Sequence, residues 1–321
     1  MNLALVGFGN VGRELARLLH ERRAQYPFRV TGIHTARHGT VVSDDGLPAQ
    51  PVFGSAAPSV EAFLDTCHAQ AMVEITPLDP AAGQPAIRHI RAAFARGMHV
   101  VTANKGPIAH AYAGLRDEAV RRGVGFRFES TVMDGAPVFN MVRNNLPGVR
   151  VLGFTGVLNS TSKIVVETME RGGSFDEGLE AARKLGITEA DGAYDVEGWD
   201  SAAKTAALAN VLMDARTTPQ AVSTRGIGRL TPARAQELAR SGKTVRLVSR
   251  ARTNRSGITL RVRAEVLDRS DILAAVAGTS NLLLLHTDSM GTVGTVSIAP
   301  TVRQTAYGIF IDLVDLLISR G

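Results

Sequence analysis

The sequence predicts an α/β protein with two domains: a doubly wound parallel sheet, then an α+β domain that carries an open, antiparallel sheet. Two observations support this fold class. Short apolar runs alternate with amphipathic stretches up to about residue 130, as in strands joined by crossover helices. After about residue 135 the helices come first and β-rich segments follow. We therefore expect a first domain at 1–135, completed by 301–321, and a second domain at 136–300.

The first domain begins with a buried strand at 2–7, a glycine-rich turn and an amphipathic helix at 12–23. The turn contains G-x-G-x-x-G between a strand and a helix, which is the dinucleotide fingerprint. Its glycines permit the turn, and the helix N-terminus offers N–H groups to a pyrophosphate. The sequence thus predicts a Rossmann-type domain. The residues of the fingerprint are Gly7, Phe8, Gly9, Asn10, Val11 and Gly12. The later predicted elements are strands at 28–34, 71–75, 99–102 and 125–129, and helices at 85–96 and 109–122.

The end of the second predicted strand indicates which dinucleotide is bound. A domain that prefers NAD usually has Asp or Glu there, whereas this chain has His34-Thr-Ala-Arg37-His38. Arg37 could pair with a 2′-phosphate, which favours NADP(H) over NAD(H). The alternatives are that Arg37 is one more surface arginine, or that Asp44 or Asp45 folds back to the ribose.

Polar residues follow two further strands of the first domain. Thr76 comes after the strand at 71–75, and Lys105 comes after the strand at 99–102. Ligands of doubly wound sheets bind at the carboxyl ends of the strands, so both positions are candidates for ligand contact.

The second domain begins with a strand at 151–158 that ends in Asn159-Ser160-Thr161. Apolar periodicity then predicts helices, next β-rich segments, and at the end of the chain an apolar helix at 303–319. The helices are expected at 162–171, 175–184, 201–213 and 231–240, and the β-rich segments at 244–250, 257–267, 281–287 and 292–298.

The segment 186–204 concentrates charge in a way that suits a site. Four carboxylates precede an alanine-rich helix, and Asp200 and Lys204 share one face of that helix at i,i+4 spacing. An acidic loop that leads to a lysine suits a site that binds an ammonium group and donates a proton to a carbonyl oxygen. The more common meaning of such spacing is a solvated turn with a surface ion pair. The acidic residues are Glu189, Asp191, Asp195 and Glu197.

The amino-acid composition indicates a functional role for some of the lysines. Lysine and arginine total 36, and only five are lysines, so arginine supplies most of the positive charge. A lysine in such a chain is a candidate for what arginine cannot do, namely lose a proton near neutral pH. Lys105 and Lys204 are the candidates.

Charge, cysteine content and hydropathy exclude other classes. The net charge is +6, but the arginines are dispersed and no nucleic-acid motif occurs, so we expect no nucleic-acid partner. No apolar run approaches a membrane span, and no signal peptide is predicted, so we expect no membrane partner. The single cysteine, Cys67, rules out an internal disulfide and is consistent with the cytoplasm.

Four motifs occur in the same order as in one known family. They are Gly-Phe-Gly-Asn-Val-Gly, Val-Val-Thr-Ala-Asn-Lys, Gly-Val-Leu-Asn-Ser-Thr and Thr-Glu-Ala-Asp followed by Asp-Val-Glu-Gly-Trp-Asp-Ser-Ala-Ala-Lys. On these motifs the chain resembles the homoserine dehydrogenases along almost its whole length. The resemblance implies NAD(P)H-dependent, reversible reduction of aspartate 4-semialdehyde to L-homoserine, a small amino-acid substrate and a homodimer.

The resemblance also implies roles for individual residues. Lys204 corresponds to the proton donor to the substrate carbonyl, and Asp200 and Lys105 complete the catalytic set. The implied substrate-binding residues are Thr161, Glu189, Asp195 and Asp200. The implied cofactor-binding residues are Gly7, Phe8, Gly9, Asn10, Val11, Gly12, Arg37, Thr76, Lys105, Gly186 and Glu189.

Three stretches depart from the family pattern. The loop at 129–136 corresponds to a site for Na⁺ or K⁺, but Met133 and Asp134 stand where the family has small residues. Ser162-Lys163 replaces an Asn-Tyr pair, and the turn at 297–304 lacks the usual glycines. The implied cation ligands are Glu129, Val132, Asp134 and Ala136.

Two rival functions remain open. One is a semialdehyde dehydrogenase that acts through a cysteine thioester, for which Cys67 would have to be an activated thiol. The other is an NADP-binding regulatory protein without turnover, which the altered 297–304 turn would favour. The chain stops just after its closing helix, as in the short form of the family, so we expect no threonine inhibition through a separate regulatory domain.

Overall fold

The structure is a computed structural model that describes residues 1–188 and 192–318. The chain divides into two compact units. The first unit comprises Met1–Asn140 and the chain from Thr301 onward, and the second comprises Met141–Pro300. Each unit contains one six-stranded sheet, and the mixed α/β class expected from the sequence is confirmed.

Strands and helices alternate in the first unit, whereas helices precede most of the strands in the second. Up to Asn140 the elements are β1 Asn2–Val6, α1 Asn10–Glu21, β2 Arg29–Thr35, β3 Gly39–Val42, α2 Val60–Thr66, β4 Ala71–Glu74, α3 Ala86–Ala95, β5 His99–Thr102, α4 Lys105–Arg121 and β6 Phe126–Arg127. From Met141 onward they are β7 Val151–Val157, α5 Ser160–Glu170, α6 Phe175–Lys184, α7 Ala193–Val196, α8 Trp199–Met213, β8 Ser223–Arg225, α9 Pro232–Arg240, β9 Lys243–Asn254, β10 Gly257–Asp268, β11 Asn281–Thr287, β12 Thr292–Ser297 and α10 Val302–Ile318.

The first sheet has the strand order β3-β2-β1-β4-β5-β6. β1 pairs in parallel with β2 and with β4, and the parallel ladder continues through β5 to β6. β3 adds an antiparallel edge to β2. The direction of strand addition reverses at β1, so the glycine turn after β1 lies at the switch point where such sheets bind ligands.

Helices α1 and α10 supply part of the first unit's core. Leu15, Leu18 and Leu19 of α1 are buried at helical spacing. Ile309 and Leu313 of α10 belong to the same cluster of buried side chains. The segment after Thr301 therefore completes the core of the first unit rather than that of the second.

The second sheet has the strand order β12-β11-β7-β9-β10-β8. Four of its strand pairs are antiparallel, as the sequence predicted for this sheet. The exception is the edge strand β8, which runs parallel to β10. β7 is central, and its carboxyl end leads directly into α5.

Several elements differ from the sequence predictions. β3, α2, α7 and β8 were not predicted, because they are short and lack a sustained apolar period. α4 begins at Lys105, since the Asn104 side chain accepts a hydrogen bond from Gly106 N and starts the helix there. The strand expected at 125–129 ends at Arg127 and is followed by a 3₁₀ turn at Glu129–Thr131.

None of the helices within residues 1–188 and 192–318 has the length and apolar character that crossing a membrane requires.

The loop after β8 packs tightly against the segment before α8, and this contact gives a stability prediction. A Cβ at Gly226 would overlap the carbonyl oxygen of Val196 and lie 2.5 Å from Glu197 Cα, whereas one at Gly228 would meet nothing within 4 Å. We expect Gly226→Ala to destabilise the protein by about 1–3 kcal/mol, because backbone must move to admit the methyl group. Gly228→Ala is the matched control and should be neutral or slightly stabilising. Thermal unfolding followed by circular dichroism measures both, and equal melting temperatures would contradict the packing described.

Candidate active site

The sequence-predicted residues form two groups, one in each unit. In the second unit the central residue is Asn159, which directly follows Leu158 at the end of β7. Its Oδ1 accepts a hydrogen bond from Ser162 N at 2.8 Å and so caps α5. Its Nδ2 donates to Asp195 Oδ1 at 2.8 Å and to Asp200 Oδ2 at 3.0 Å. One buried amide therefore starts a helix and joins two carboxylates.

Asp195 is held from three directions. Thr161 Oγ1 and Thr188 Oγ1 each donate to Asp195 Oδ2 at 2.9 Å, in addition to the bond from Asn159. Burial raises the pKa of Asp195, the negative charge of Asp200 raises that pKa further, and the three hydrogen bonds oppose the rise. Two carboxylates in one partly buried group favour a nearby positive charge.

Lys204 supplies that charge from the next turn of α8. Its Nζ lies 3.2 Å from Asp200 Oδ2 and donates to the carbonyl oxygen of Leu158 at 2.7 Å. The Lys204 and Asp200 side chains are only 16% and 10% exposed. The pair is therefore largely buried, whereas i,i+4 spacing more often indicates a solvated surface ion pair. We call this group the Asn159 network; its members are Asn159, Thr161, Thr188, Asp195, Asp200 and Lys204.

The structure describes the acidic segment before α7 only in part. Glu189 and Asp191, which the sequence indicated, lie outside the described residues. Gly186 lies just beyond α6 with φ +69°, and no atom lies within 4 Å of where its Cβ would be. The left-handed backbone is therefore sufficient reason for a glycine at this position. Thr188 anchors the segment to Asp195.

In the first unit, the glycine turn fits a dinucleotide. A Cβ at Gly7, where φ is +101°, would lie 2.5 Å from the carbonyl oxygen of Ile75, and one at Gly12 would lie 3.0 Å from Ile75 Cδ1. Fold packing therefore requires glycine at position 7, whereas at position 12 the flexible end of Ile75 would have to shift. At Gly9 a Cβ would meet nothing within 4 Å, which leaves open space just before the first turn of α1, where Asn10 and Val11 lie. A pyrophosphate could approach the helix N–H groups there.

A buried carboxylate organises the neighbouring strand ends. Glu74, at the end of β4, accepts hydrogen bonds from the Thr76 amide at 3.1 Å, from the Thr76 hydroxyl, and from Thr102 Oγ1 at 3.0 Å. Asn104 Nδ2 donates to the carbonyl oxygen of Thr76 at 3.2 Å. Asn104 thus ties the Thr76 segment to the start of α4, where Lys105 is the first residue.

A cavity of about 550 Å³ lies beside the glycine turn. Its lining includes Phe8, Arg13 and Arg17 from the turn and α1, and His38 from the turn after β2. We call it the Phe8 cavity. Arg37 is exposed in the same turn as His38 but does not line the cavity. Asp44, which could have replaced the missing carboxylate, instead lies 3.0 Å from His68 Nδ1.

Both carboxylates of the loop expected to bind a monovalent cation accept hydrogen bonds from the protein. The two Glu129 side-chain oxygens accept hydrogen bonds from the amides of Val138, Phe139 and Asn140 at 2.6–2.9 Å. Asp134 accepts one from Thr305 Oγ1 at 3.1 Å. A cation here would depend on backbone oxygens, such as those of Val132 and Ala136. Within the described chain no cluster of three or more His, Cys, Asp or Glu could hold a metal ion.

Cys67 lacks the surroundings of a reactive thiol. It is fully buried at the end of α2, its Sγ donates to the carbonyl oxygen of Leu64 at 3.6 Å, and burial raises its pKa. Catalytic cysteines need a lowered pKa and access to substrate, so the thioester mechanism has no support in this site.

Sequence reasoning missed the joining role of Asn159 and the positions of Thr188, Arg13 and Arg17. Asn159 was visible as the polar residue that ends β7, but its two acceptors lie 36 and 41 positions away in sequence. Arg13 and Arg17 have i,i+4 spacing on α1 directly after the fingerprint, and that was the available signal.

Both units match models of one protein family. The family model described as homoserine dehydrogenase matches residues 137–314, and the one described as homoserine dehydrogenase, NAD binding domain, matches residues 7–129. The chain is 33% identical to an NAD(+)-dependent homoserine dehydrogenase of Pseudomonas canavaninivorans, over 98% of this chain and 95% of that one. It is 32% identical to a homoserine dehydrogenase of Methanocaldococcus jannaschii, over 98% of each.

Solved structures give the same result. A homoserine dehydrogenase of Thermoplasma acidophilum superposes with a TM-score of 0.87 at 25% identity, over 100% of this chain and 99% of that one. A hyperthermophilic archaeal homoserine dehydrogenase in complex with NADPH superposes with a TM-score of 0.84 at 26% identity, over 99% and 98%. The chain belongs to the homoserine dehydrogenase family and is an NAD(P)-dependent oxidoreductase.

Proposed function

We propose that the protein interconverts L-aspartate 4-semialdehyde and L-homoserine, with NADP(H) preferred over NAD(H) and Lys204 as the proton donor. The observation that supports this most directly is the Asn159 network. In it the Lys204 ammonium is held by Asp200 and by the carbonyl oxygen of Leu158, at the carboxyl end of β7.

Lys204 has the chemistry that the reaction needs. A bound NADPH would supply the hydride. When hydride is added to the aldehyde carbon, negative charge develops on the carbonyl oxygen, and an ammonium group in contact with that oxygen stabilises and protonates it. Leu158 and Asp200 restrict where Nζ can lie. Lys105 is assigned a supporting contact with the substrate, by resemblance to the family.

The acidic side of the same group suits the substrate's amino group. Asp195 and Asp200 are joined by Asn159, and Thr161 is bonded to Asp195. We assign ammonium recognition to Glu189, with Asp195, Asp200 and Thr161 completing the pocket. The substrate ammonium and Lys204 then bring two positive charges to the carboxylates of Asp195 and Asp200.

The preference for NADP(H) rests on the missing carboxylate after β2 and on positive charge beside the glycine turn. Arg37 and His38 follow β2, and Arg13 and Arg17 line the Phe8 cavity. The named relatives differ in this property, since one is NAD(+)-dependent and another was solved with NADPH. We include no cation in the proposal, because Glu129 is bonded to backbone amides. A homodimer remains part of the proposal.

Lys204→Ala tests the proton donor. We expect kcat for semialdehyde reduction to fall at least about hundredfold, while the Kd for NADPH stays within about twofold, because the lysine acts on the carbonyl. Lys184→Ala removes an exposed lysine from the same unit and should leave kcat unchanged. Near-normal kcat for the Lys204 variant would remove this residue from the mechanism.

Arginine variants test how the cofactor is chosen. Arg13→Ala and Arg37→Ala should each raise the Kd for NADPH about tenfold and change that for NADH about twofold or less, because a charge-assisted contact to the 2′-phosphate is lost. Arg23→Ala, an exposed arginine beyond α1, is the matched control. Equal losses for both cofactors would mean that neither arginine recognises the 2′-phosphate.

Asn159→Asp tests the network without removing the cap on α5. The new carboxylate can still accept from Ser162 N but cannot donate to Asp195 and Asp200. At neutral pH we expect a loss of about 3 kcal/mol and of most activity, because three carboxylates then lie in contact. Burial and the charge of Asp200 already raise the pKa of Asp195, and a third carboxylate raises that pKa further. The destabilising repulsion is therefore absent below about pH 4, where the carboxyls are protonated in the folded and in the unfolded chain. It grows as the pH rises above that value.

Urea unfolding of this variant between acidic and neutral pH measures the effect. Asn254→Asp makes the same charge change at an exposed hairpin position and serves as the control. A pH-independent loss of stability in Asn159→Asp would contradict the proposed repulsion.

A further inference from the structure

A second cavity lies in the second unit and shares no residue with the Asn159 network. Its volume is about 320 Å³, and its lining comes from β8, the loop after it, α9, β9 and β10. Four arginines line it, and its lining within the described chain contains no carboxylate. We call it the arginine cavity; its arginines are Arg225, Arg229, Arg234 and Arg263.

The strand register places two of these arginines side by side. β8 and β10 run parallel, and Arg225 is the register partner of Arg263. Like charges directly opposite each other on neighbouring strands are destabilising unless something compensates them. Arginine is the usual basic residue of this chain, so its presence alone indicates no site. The inference depends on the positions of these four arginines around one cavity.

The compensation from the described protein residues is small. Arg263 uses its guanidinium to donate to the backbone and side-chain oxygens of Ser223, both neutral, at 2.6 Å. Arg234 pairs with Glu237, but both side chains are more than half exposed, so the pair is screened by water. Within the described chain neither Arg225 nor Arg229 has an ion-pair partner.

The floor of the cavity is apolar, which strengthens the field of these charges. Ile227 and Leu238 are buried and contribute to the lining together with Val245. Charges beside an apolar wall interact more strongly with a ligand than charges surrounded by water. The planar guanidinium groups can form paired hydrogen bonds with the oxygens of a phosphate.

We propose that the arginine cavity binds a small phosphate-bearing anion through Arg225, Arg229 and Arg234, with Arg263 adding positive charge while it holds Ser223. The cavity is concave and multiply positive, and within the described residues the one ion pair of its arginines is the exposed Arg234–Glu237 pair. Its lining includes no residue of the glycine turn, and we propose that its ligand is additional to the dinucleotide.

Inorganic pyrophosphate is the probe, titrated calorimetrically into the whole protein in a phosphate-free buffer. Saturating NADPH occupies the dinucleotide site, so binding there does not contribute. We expect one pyrophosphate site, weakened by added salt. Arg225→Ala and Arg229→Ala should each raise its Kd about tenfold, and Arg229→Lys should raise it less, since lysine keeps the charge but loses the paired contact. Citrate, which carries carboxylates of similar charge, should bind more weakly.

Two control variants locate the site. Arg255→Ala removes an exposed arginine at the turn between β9 and β10, and Arg17→Ala removes one from the Phe8 cavity. Both should bind pyrophosphate like the wild type. The proposal is overturned if pyrophosphate does not bind, if only Arg17→Ala loses binding, or if citrate binds more tightly. It is also overturned if Arg225→Ala and Arg229→Ala keep full binding but change the oligomeric mass, because the arginines would then serve a contact between subunits.

Discussion

The side-chain amide of Asn159 holds together the part of the second unit on which the proposed chemistry depends. Its oxygen starts α5, and its nitrogen bridges Asp195 and Asp200, which belong to α7 and α8. Hydrogen bonds to charged groups are worth about 1.5–3 kcal/mol each, so one residue offsets much of the repulsion between two carboxylates. Without it, Asp195 and Asp200 would lose the donor that they share. Because Asp200 is also a partner of Lys204, the amide helps to fix the position of the Lys204 ammonium.

The same arrangement explains why a lysine and several carboxylates can coexist in a partly buried site. Burial alone would drive Asp195 toward its neutral form, while donors from Asn159, Thr161 and Thr188 favour the charged form. An arriving ammonium group adds a further favourable charge. Under the proposed function the site is most stable when it holds a cationic substrate, so an amino-acid aldehyde fits it better than a simple aldehyde.

The sequence predicts local features of this molecule well and distant contacts poorly. The glycine turn was predictable, because the fingerprint and its strand–helix context are contiguous in sequence. The proximity of Asp200 and Lys204 followed from helical spacing. The bridge from Asn159 to Asp195 and Asp200 was not predictable, since it depends on how β7 and α8 pack. The strand β8 was not predicted, because Ser-Thr-Arg has no apolar period. The pairing of Arg225 with Arg263 depends on that strand, so it was not predicted either. The start of α4 was placed late because Asn104 was not recognised as its cap.

The central claim is that an acidic group recognises the substrate's ammonium while Lys204 acts on its aldehyde. The most direct measurement compares NADPH oxidation with aspartate 4-semialdehyde and with succinic semialdehyde, which is the same chain without the amino group. We predict rapid turnover of the amino-acid aldehyde and a kcat/KM about a hundredfold or more lower for the analogue, because the charged contacts are lost. Equal kcat/KM values for the two aldehydes would contradict ammonium recognition, and NADPH binding without turnover of either would contradict the catalytic role of the site.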